Sequence, residues 1–343
     1  MVLLRAFLFH FAYGLRMSLS HQSLVKNDIE VSVAPMMDWT DRHCRVFHRS
    51  LSPSVVLYTE MVVADAAIHG PKEKLLGFSD VEHPVVLQLG GSDPDKLAEA
   101  ARIGEGFGYD AINLNIGCPS DRVQSGRFGA CLMSEPELVR DCVGAMAGAV
   151  DVPVTVKCRL GVDDQVVEET LPHFIETVRP VSDVFIIHAR KAWLKGLSPK
   201  ENRTVPPLDY ALVRRMKAEF PELEIHLNGG LTSLEEGCRE AEGLDGIMYG
   251  RAAYGDPWML TGIDAGFSKS RGDVVEEMIR YCEWCEGEGL RHNALLRHML
   301  GLYAGQPGAR GWRRHLSTEG PKGRPADVLR EGLRLMQGAA DAA

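Results

Sequence analysis

A cysteine at the end of an apolar strand is the first residue here that offers chemistry. Residues 111–117 alternate apolar side chains with Asn113 and Asn115, and the run breaks at Gly117, just before Cys118. A half-buried strand that points two amides to one face needs polar partners on that face. On these residues alone two interpretations are open. In one, both amides are hydrogen-bonded within the core and the thiol is buried and inert. In the other, they belong to a functional polar site at the end of the strand.

Lys157 and His188 form a second pair of candidates, because each lies near the end of an apolar run and would point inward. A lone buried histidine is commonly a satisfied core residue, but a buried ammonium is costly unless it is paired. A flavin would resolve this, with Lys157 holding negative charge near the N1–O2 edge of the ring and Gln88 bonding its pyrimidine edge. His188 would bond ribityl or phosphate oxygens. Contacts to the ring would also come from the end of the first strand, at Pro35, Met36 and Met37.

Glycines follow the last two apolar runs, in Asn228-Gly229-Gly230 and Gly250-Arg251. Glycine lets backbone N–H groups approach an anion closely, and a barrel commonly binds phosphate between its last two loops. Each glycine pair alone has many explanations, but both at this position predict a phosphorylated cofactor.

With a flavin at the same end of the fold, Cys118 gains a role. A reduced flavin delivers hydride to one carbon of an activated double bond, and a weak acid must protonate the adjacent carbon. A thiol with a pKa near ~8.5 can serve as that general acid at neutral pH. A nucleophilic cysteine would instead need a base and an orienting partner beside it, and the sequence supplies no obvious local one.

Eight short apolar runs must position these residues, and each is followed by a loop and an amphipathic segment. The runs are 31–35, 55–61, 84–90, 111–117, 153–158, 184–189, 224–229 and 246–250. Alternating strands and helices predict an α/β fold, a (β/α)8 TIM barrel, with functional residues at the carboxyl ends of the strands. A doubly wound sheet is the alternative, but it requires a glycine-rich fingerprint that residues 34–38 lack.

Composition limits the class of protein. The chain has 343 residues, 45% hydrophobic and 25% charged, with a net charge of −9, so a nucleic-acid site must come from a local patch. The eight cysteines do not follow the spacing of a small secreted domain, which predicts reduced thiols and a cytoplasmic location. Cys282 and Cys285 lack a second pair to complete a zinc site, so we predict no metal. We also predict no membrane association, since no run reaches ~20 apolar residues.

We divide the chain into three parts. Residues 1–30 form an N-terminal extension, which we expect to be disordered or to include residues upstream of a true translation start at Met17. We favour both over a targeting segment. Residues 31–264 form the barrel, and residues 265–343 form a small helical domain. Residues 291–324 contain the single acid Glu319 against seven basic residues, at positions 291, 297, 310, 313, 314, 322 and 324. Such a run is commonly a solvated helix face, but it can also neutralise phosphates.

Nine stretches of the chain resemble the tRNA-dihydrouridine synthase family, and most of all its A-type bacterial subfamily. They are APMMDWTDR (34–42), LYTEM (57–61), QLGG (88–91), NLNIGCPS (113–120), RFGACLM (127–133), HARKAW (188–193), SPKENR (198–203), RHMLGL (297–302) and PGARGWRR (307–314). The resemblance covers roughly residues 31 to 335.

The resemblance implies an FMN enzyme that uses NADPH, or NADH, to reduce D-loop uridines of tRNA, usually at positions 20 and 20a. Cys118 matches the proton donor to carbon 5 of uracil, with hydride going to carbon 6. The positions matching FMN contacts are Pro35, Met36, Met37, Gln88, Lys157, His188, Asn228, Gly229, Gly230, Gly250 and Arg251. The positions matching tRNA contacts are Asn115, Lys200, Arg203, Arg310 and Arg313. The partner would be tRNA, and we expect a monomer.

Two alternatives are weighed against this function. An FMN barrel that reduces a free pyrimidine or enone needs the same flavin and acid, but a free base gives the basic cluster nothing to bind. The other is a non-catalytic tRNA-binding protein whose barrel has lost its catalytic residues. The presence of Lys157, His188 and Cys118 together argues against that loss.

Overall fold

The computed structural model describes residues 29–341, and its centre is a closed barrel of parallel strands. The strands are β1 (Glu30–Val33), β2 (Val56–Tyr58), β3 (Val62–Val63), β4 (Val85–Gly90), β5 (Ala111–Ile116), β6 (Val154–Arg159), β7 (Val184–His188), β8 (Glu224–Asn228) and β9 (Gly246–Tyr249). Eight of them close the ring, because β1 pairs with both β2 and β9 while β2 pairs with β4. The predicted TIM barrel is confirmed. Most of the expected N-terminal extension, residues 1–28, lies outside the described residues.

The second apolar run differs from its prediction as one strand over residues 55–61. β2 ends at Tyr58, and the two-residue β3 pairs with the end of β4 instead. The break occurs at Thr59, whose Oγ1 accepts a hydrogen bond from the backbone N–H of Gln88 at 3.0 Å. A side-chain oxygen thus takes the place of a backbone acceptor for the Gln88 N–H, and strand pairing with β4 resumes at Val62.

The helices follow the strands in alternation and then continue as a separate group. They are α1 (Arg42–Leu51), α2 (Ala64–His69), α3 (Lys72–Leu76), α4 (Pro94–Phe107), α5 (Asp121–Ser125), α6 (Pro136–Ala147), α7 (Val167–Val178), α8 (Tyr210–Glu219), α9 (Leu234–Glu240), α10 (Arg251–Gly255), α11 (Arg271–Gly287), α12 (Leu295–His298), α13 (Ala309–Glu319) and α14 (Pro325–Asp341). Local chemistry sets their ends, as in α4. There the Asp93 side chain accepts from two backbone N–H groups, Pro94 opens the helix, and Gly108 ends it at φ 96°.

The helices after the barrel dock on its first helix. His43 of α1 forms two hydrogen bonds of 2.8 Å, from Nδ1 with the Tyr281 hydroxyl and from Nε2 with the carbonyl oxygen of Arg291. Cys282 and Cys285 are buried free thiols in α11. The domain boundary after residue 264 stays a prediction. Within residues 29–341, no helix has the length and apolar character needed to cross a membrane.

Candidate active site at the barrel mouth

Four strands bring polar side chains to the carboxyl end of the barrel. Asn115 lies beside Lys157 in the pairing of β5 with β6, and His188 lies beside Asn228 in the pairing of β7 with β8. The Lys157 ammonium donates to Asn228 Oδ1 at 2.9 Å and so joins β6 to β8. Residues that are far apart in the sequence therefore meet at one rim.

A chain of side-chain hydrogen bonds rises through the barrel interior to this rim. Asn113 Nδ2 donates to Thr155 Oγ1, Gln88 Nε2 donates to Asn113 Oδ1, and Asn115 Nδ2 donates to Gln88 Oε1, each at 2.8 Å. All four side chains are buried. The strand amides are thus satisfied within the protein. A glutamine amide has two hydrogens and two lone pairs, so these bonds use half the capacity of Gln88.

The side chain of Asn115 also shapes the loop that carries Cys118. Its Oδ1 accepts from the backbone N–H groups of Gly117, at 3.0 Å, and of Cys118, at 2.9 Å. The Cys118 thiol is partly exposed and lies 3.5 Å from the hydroxyl of Ser120. Asn115, a predicted tRNA contact, is therefore already engaged in holding the Cys118 backbone.

Positive charge accumulates around this thiol. Burial and then the neighbouring Arg159 lower the pKa of Lys157 to about 8, and burial lowers the pKa of Arg159 to about 10. Burial, Arg159 and Lys157 hold the pKa of His188 well below its usual range, so its imidazole is neutral at pH 7. Burial and then Arg251 also lower the pKa of Arg203. Like charges that repel one another make a mouth suited to an anion.

The glycines after β8 are required by the backbone and by close packing. Gly229 and Gly230 have φ of 111° and 76°, and the Tyr210 hydroxyl donates to the Gly229 carbonyl at 2.6 Å. A Cβ at Gly229 would lie 2.6 Å from His188 Cδ2. The absence of a side chain therefore gives His188 its place at the rim.

The loop after β1 lies against the end of β9. Met36 accepts backbone hydrogen bonds from Trp39 and Thr40, which closes a tight turn. A Cβ built at Gly250 would lie 3.6 Å from Met36 Sδ, so the predicted contacts at residues 35–37 and at Gly250 are neighbours. Met37, the third of these predicted contacts, exposes 56% of its surface.

Lys200 and Arg203 lie on an exposed loop after β7 that we name the 193–203 segment. Asn202, which is fully buried, closes this loop. Its Oδ1 accepts from Trp193 N at 2.7 Å, and its Nδ2 donates to the carbonyl oxygens of Trp193 at 2.8 Å and Leu197 at 3.1 Å. Arg251 donates to the Arg203 carbonyl at 3.1 Å, which places the segment beside the loop after β9.

Arg310 and Arg313 lie apart from the mouth, on α13. Both are exposed, whereas Trp312 between them is buried. Other members of the basic run are paired: Arg297 with Asp41 at 3.3 Å, and Lys322 with Glu319 at 3.5 Å. The structure thus divides the predicted tRNA contacts into a group at the mouth and a group on the helical part.

Arg159 is the last residue of β6 and had no predicted role. It is 3% exposed and donates to three backbone carbonyls, of Gly117, Lys191 and Asn202. It lies two residues after Lys157 on the same strand, and this spacing places both on one side of the sheet. Gln124, which also contacts the loop of Cys118, gave no signal in the sequence.

The fold and site together define a (β/α)8 barrel with a cation-lined mouth and a free thiol at the end of β5. A family model described as dihydrouridine synthase matches residues 32–335, and the chain belongs to that family. Among residues 29–341, no group of three or more potential metal ligands occurs.

Relatives named tRNA-dihydrouridine(20/20a) synthase match most of the chain. The protein of Xanthomonas campestris pv. campestris is 54% identical over 306 residues, which are 88% of this chain and 91% of that protein. The protein of Escherichia coli O6:H1 is 53% identical over 314 residues, 89% of this chain and 95% of that protein. The resemblance read from the motifs is therefore confirmed.

Proposed function

We propose that this protein reduces uridines of tRNA to 5,6-dihydrouridine, at D-loop positions 20 and 20a, with FMN as its cofactor and NADPH or NADH as reductant. It would act as a cytoplasmic monomer. The observation that carries the proposal is the Cys118 thiol, held beside a cation-lined mouth in a member of the dihydrouridine synthase family. The positions in the proposal come from the relatives, whose names specify 20/20a.

The residues at the mouth fit FMN. Lys157 has a neutral amide as its hydrogen-bond acceptor, and Gly229 leaves space beside His188 that a Cβ would fill. The residues that would hold the cofactor are Pro35, Met36, Met37, Gln88, Lys157, His188, Asn228, Gly229, Gly230, Gly250 and Arg251. When bound, FMN supplies the hydride that goes to carbon 6 of the uracil ring.

Cys118 supplies the proton. The thiol is partly exposed at the mouth, so its Sγ can face carbon 5 of a uracil and donate its proton there. The thiolate that remains lies within electrostatic range of Lys157, Arg159 and Arg203, which stabilise its negative charge. The neutral imidazole of His188 binds as a hydrogen-bonding group rather than as a cation.

Binding of tRNA explains the two groups of basic residues. Arg310 and Arg313 would neutralise phosphates of the tRNA body, and Lys200 and Arg203 would hold the backbone near the base that enters the barrel. The base must leave its stack to reach the flavin. We propose that residues 31–264 perform the chemistry, with Asn115 also contacting the base, and that residues 265–343 bind the RNA.

A direct test uses purified protein loaded with FMN and unmodified tRNA transcripts. We expect dihydrouridine at positions 20 and 20a, and its loss at each position when that uridine is replaced by cytidine. Free uridine and uracil are the controls for the alternative of a small-molecule reductase. Turnover of the free base in place of tRNA would reject the proposed function. Parallel assays with NADPH and NADH identify the reductant.

A further inference from the structure

Cys118 is flanked by two carbonyl groups, and each is bound by a side chain from elsewhere in the fold. The Gly117 carbonyl accepts from Arg159 Nε at 2.9 Å, and the Pro119 carbonyl accepts from Gln124 Nε2 at 2.8 Å. The backbone on either side of the thiol is therefore held by a side-chain donor.

The same two side chains reach the 193–203 segment. Arg159 Nη1 donates to the Asn202 carbonyl at 2.9 Å, and Gln124 Nε2 donates to the Leu194 carbonyl at 2.8 Å. Each side chain thus bridges one residue beside Cys118 to one end of the segment. Because Asn202 ties the ends of the segment together through Trp193 and Leu197, both bridges belong to one unit.

We propose that Gln124 and Arg159 are positioning residues, which couple the placement of the 193–203 segment to the placement of the Cys118 thiol. The inference rests on the proposed function, because Lys200 and Arg203 of this segment would contact tRNA. RNA bound by the segment would then be placed correctly relative to the Cys118 thiol that donates the proton. A base that enters without the rest of the tRNA would lack this alignment.

Gln124→Met keeps the length of the side chain and removes the amide that makes both bonds. Arg159→Lys keeps the charge but replaces the planar guanidinium, whose Nε and Nη1 bond separate carbonyls, with a single nitrogen. The enzyme is reduced anaerobically, and its single-turnover oxidation by saturating tRNA is followed. Because a misplacement near 1 Å costs about 100-fold, we expect the rate to fall by roughly 10- to 100-fold in each variant. Dissociation constants for tRNA and FMN content should stay near the wild-type values. Arg102→Lys, at an exposed position on the barrel helix α4, is the matched control and should keep the wild-type rate.

A second comparison shows whether the bridges act through the thiol. In a Cys118→Ala background, adding Gln124→Met should not lower the residual rate further, since residues acting as a unit are not additive. A further loss of the same size in that background would overturn the proposal, and so would weakened tRNA binding with an unchanged rate at saturation. If wild-type reduced enzyme is not oxidised by tRNA, the proposed function fails together with this inference. Active wild-type enzyme with unaffected variants rejects the coupling alone.

Discussion

The ammonium of Lys157 lies 2.9 Å from the side-chain oxygen of Asn228, and it forms no ion pair with a carboxylate of the described residues. A partly buried cation with a neutral partner is less favourable than one with an anionic partner. Burial and then repulsion from Arg159 disfavour the charged ammonium, which lowers the pKa of Lys157 to about 8. The pair is thus arranged to receive negative charge, such as that on a flavin.

FMN affinity should depend on pH through Lys157. An anion favours the protonated ammonium, so affinity is full below about pH 8 and falls as pH rises above that value. Lys157→Met should weaken FMN binding by about 10- to 100-fold at neutral pH, the range for a hydrogen bond to a charged group, and abolish the alkaline decline. Titration of flavin fluorescence across this pH range measures both. An equal alkaline decline in the variant would assign it to another group.

Replacement of Cys118 should separate binding from chemistry. Cys118→Ala should keep FMN content and tRNA affinity, because the Asn115 bonds in this loop go to backbone N–H groups. Loss of the general acid should lower turnover by about 10²- to 10⁴-fold. Dihydrouridine formed under single-turnover conditions gives the rate, and Cys131→Ala is the control thiol in the next loop. Full turnover by Cys118→Ala would exclude the proton-donor role.

The exposed arginines of α13 should act on RNA affinity alone. The double variant Arg310→Glu with Arg313→Glu should reduce the slope of log affinity against log salt by about 2 and weaken tRNA binding. The rate of flavin reduction by NADPH should not change. The matched control reverses two exposed charges on the barrel helices, with Lys72→Glu and Arg102→Glu. If flavin reduction also collapses in the α13 variant, these arginines support the fold.

Gly229→Ala should cost more than the strain of its backbone. Its φ of 111° disfavours any side chain, and the new Cβ would also meet His188 at 2.6 Å. Gly243→Ala is the control, because φ there is 81° and nothing lies within 4 Å. We expect a loss of about 1–2 kcal/mol in unfolding free energy for the control and a larger loss for Gly229→Ala, with lowered FMN affinity. Chemical denaturation of both variants compares them. Equal losses would show that His188 moves freely.

Much of the fold and of the rim could be predicted from the sequence. Gln88, Lys157, His188 and Asn228 lie near the ends of apolar runs that alternate with amphipathic segments, and parallel strands in a barrel bring their carboxyl ends to one rim. The strand predicted over residues 55–61 is present but ends at Tyr58. Beyond it the Thr59 side-chain oxygen accepts from the Gln88 N–H, a bond of which periodicity carries no sign.

The sequence by itself determined the family, the barrel and the residue types available at its mouth, because long motifs and strand alternation are local properties. Only the tertiary structure decided how these residues are partnered. Asn115 bonds the backbone of Cys118, and Arg159 joins carbonyls 42 and 43 residues away. The charges of the basic run could be counted in the sequence, but folding pairs Arg297 with Asp41 and leaves Arg313 exposed. Which hydrogen bonds and ion pairs form depends on distances between segments that only the folded chain brings together.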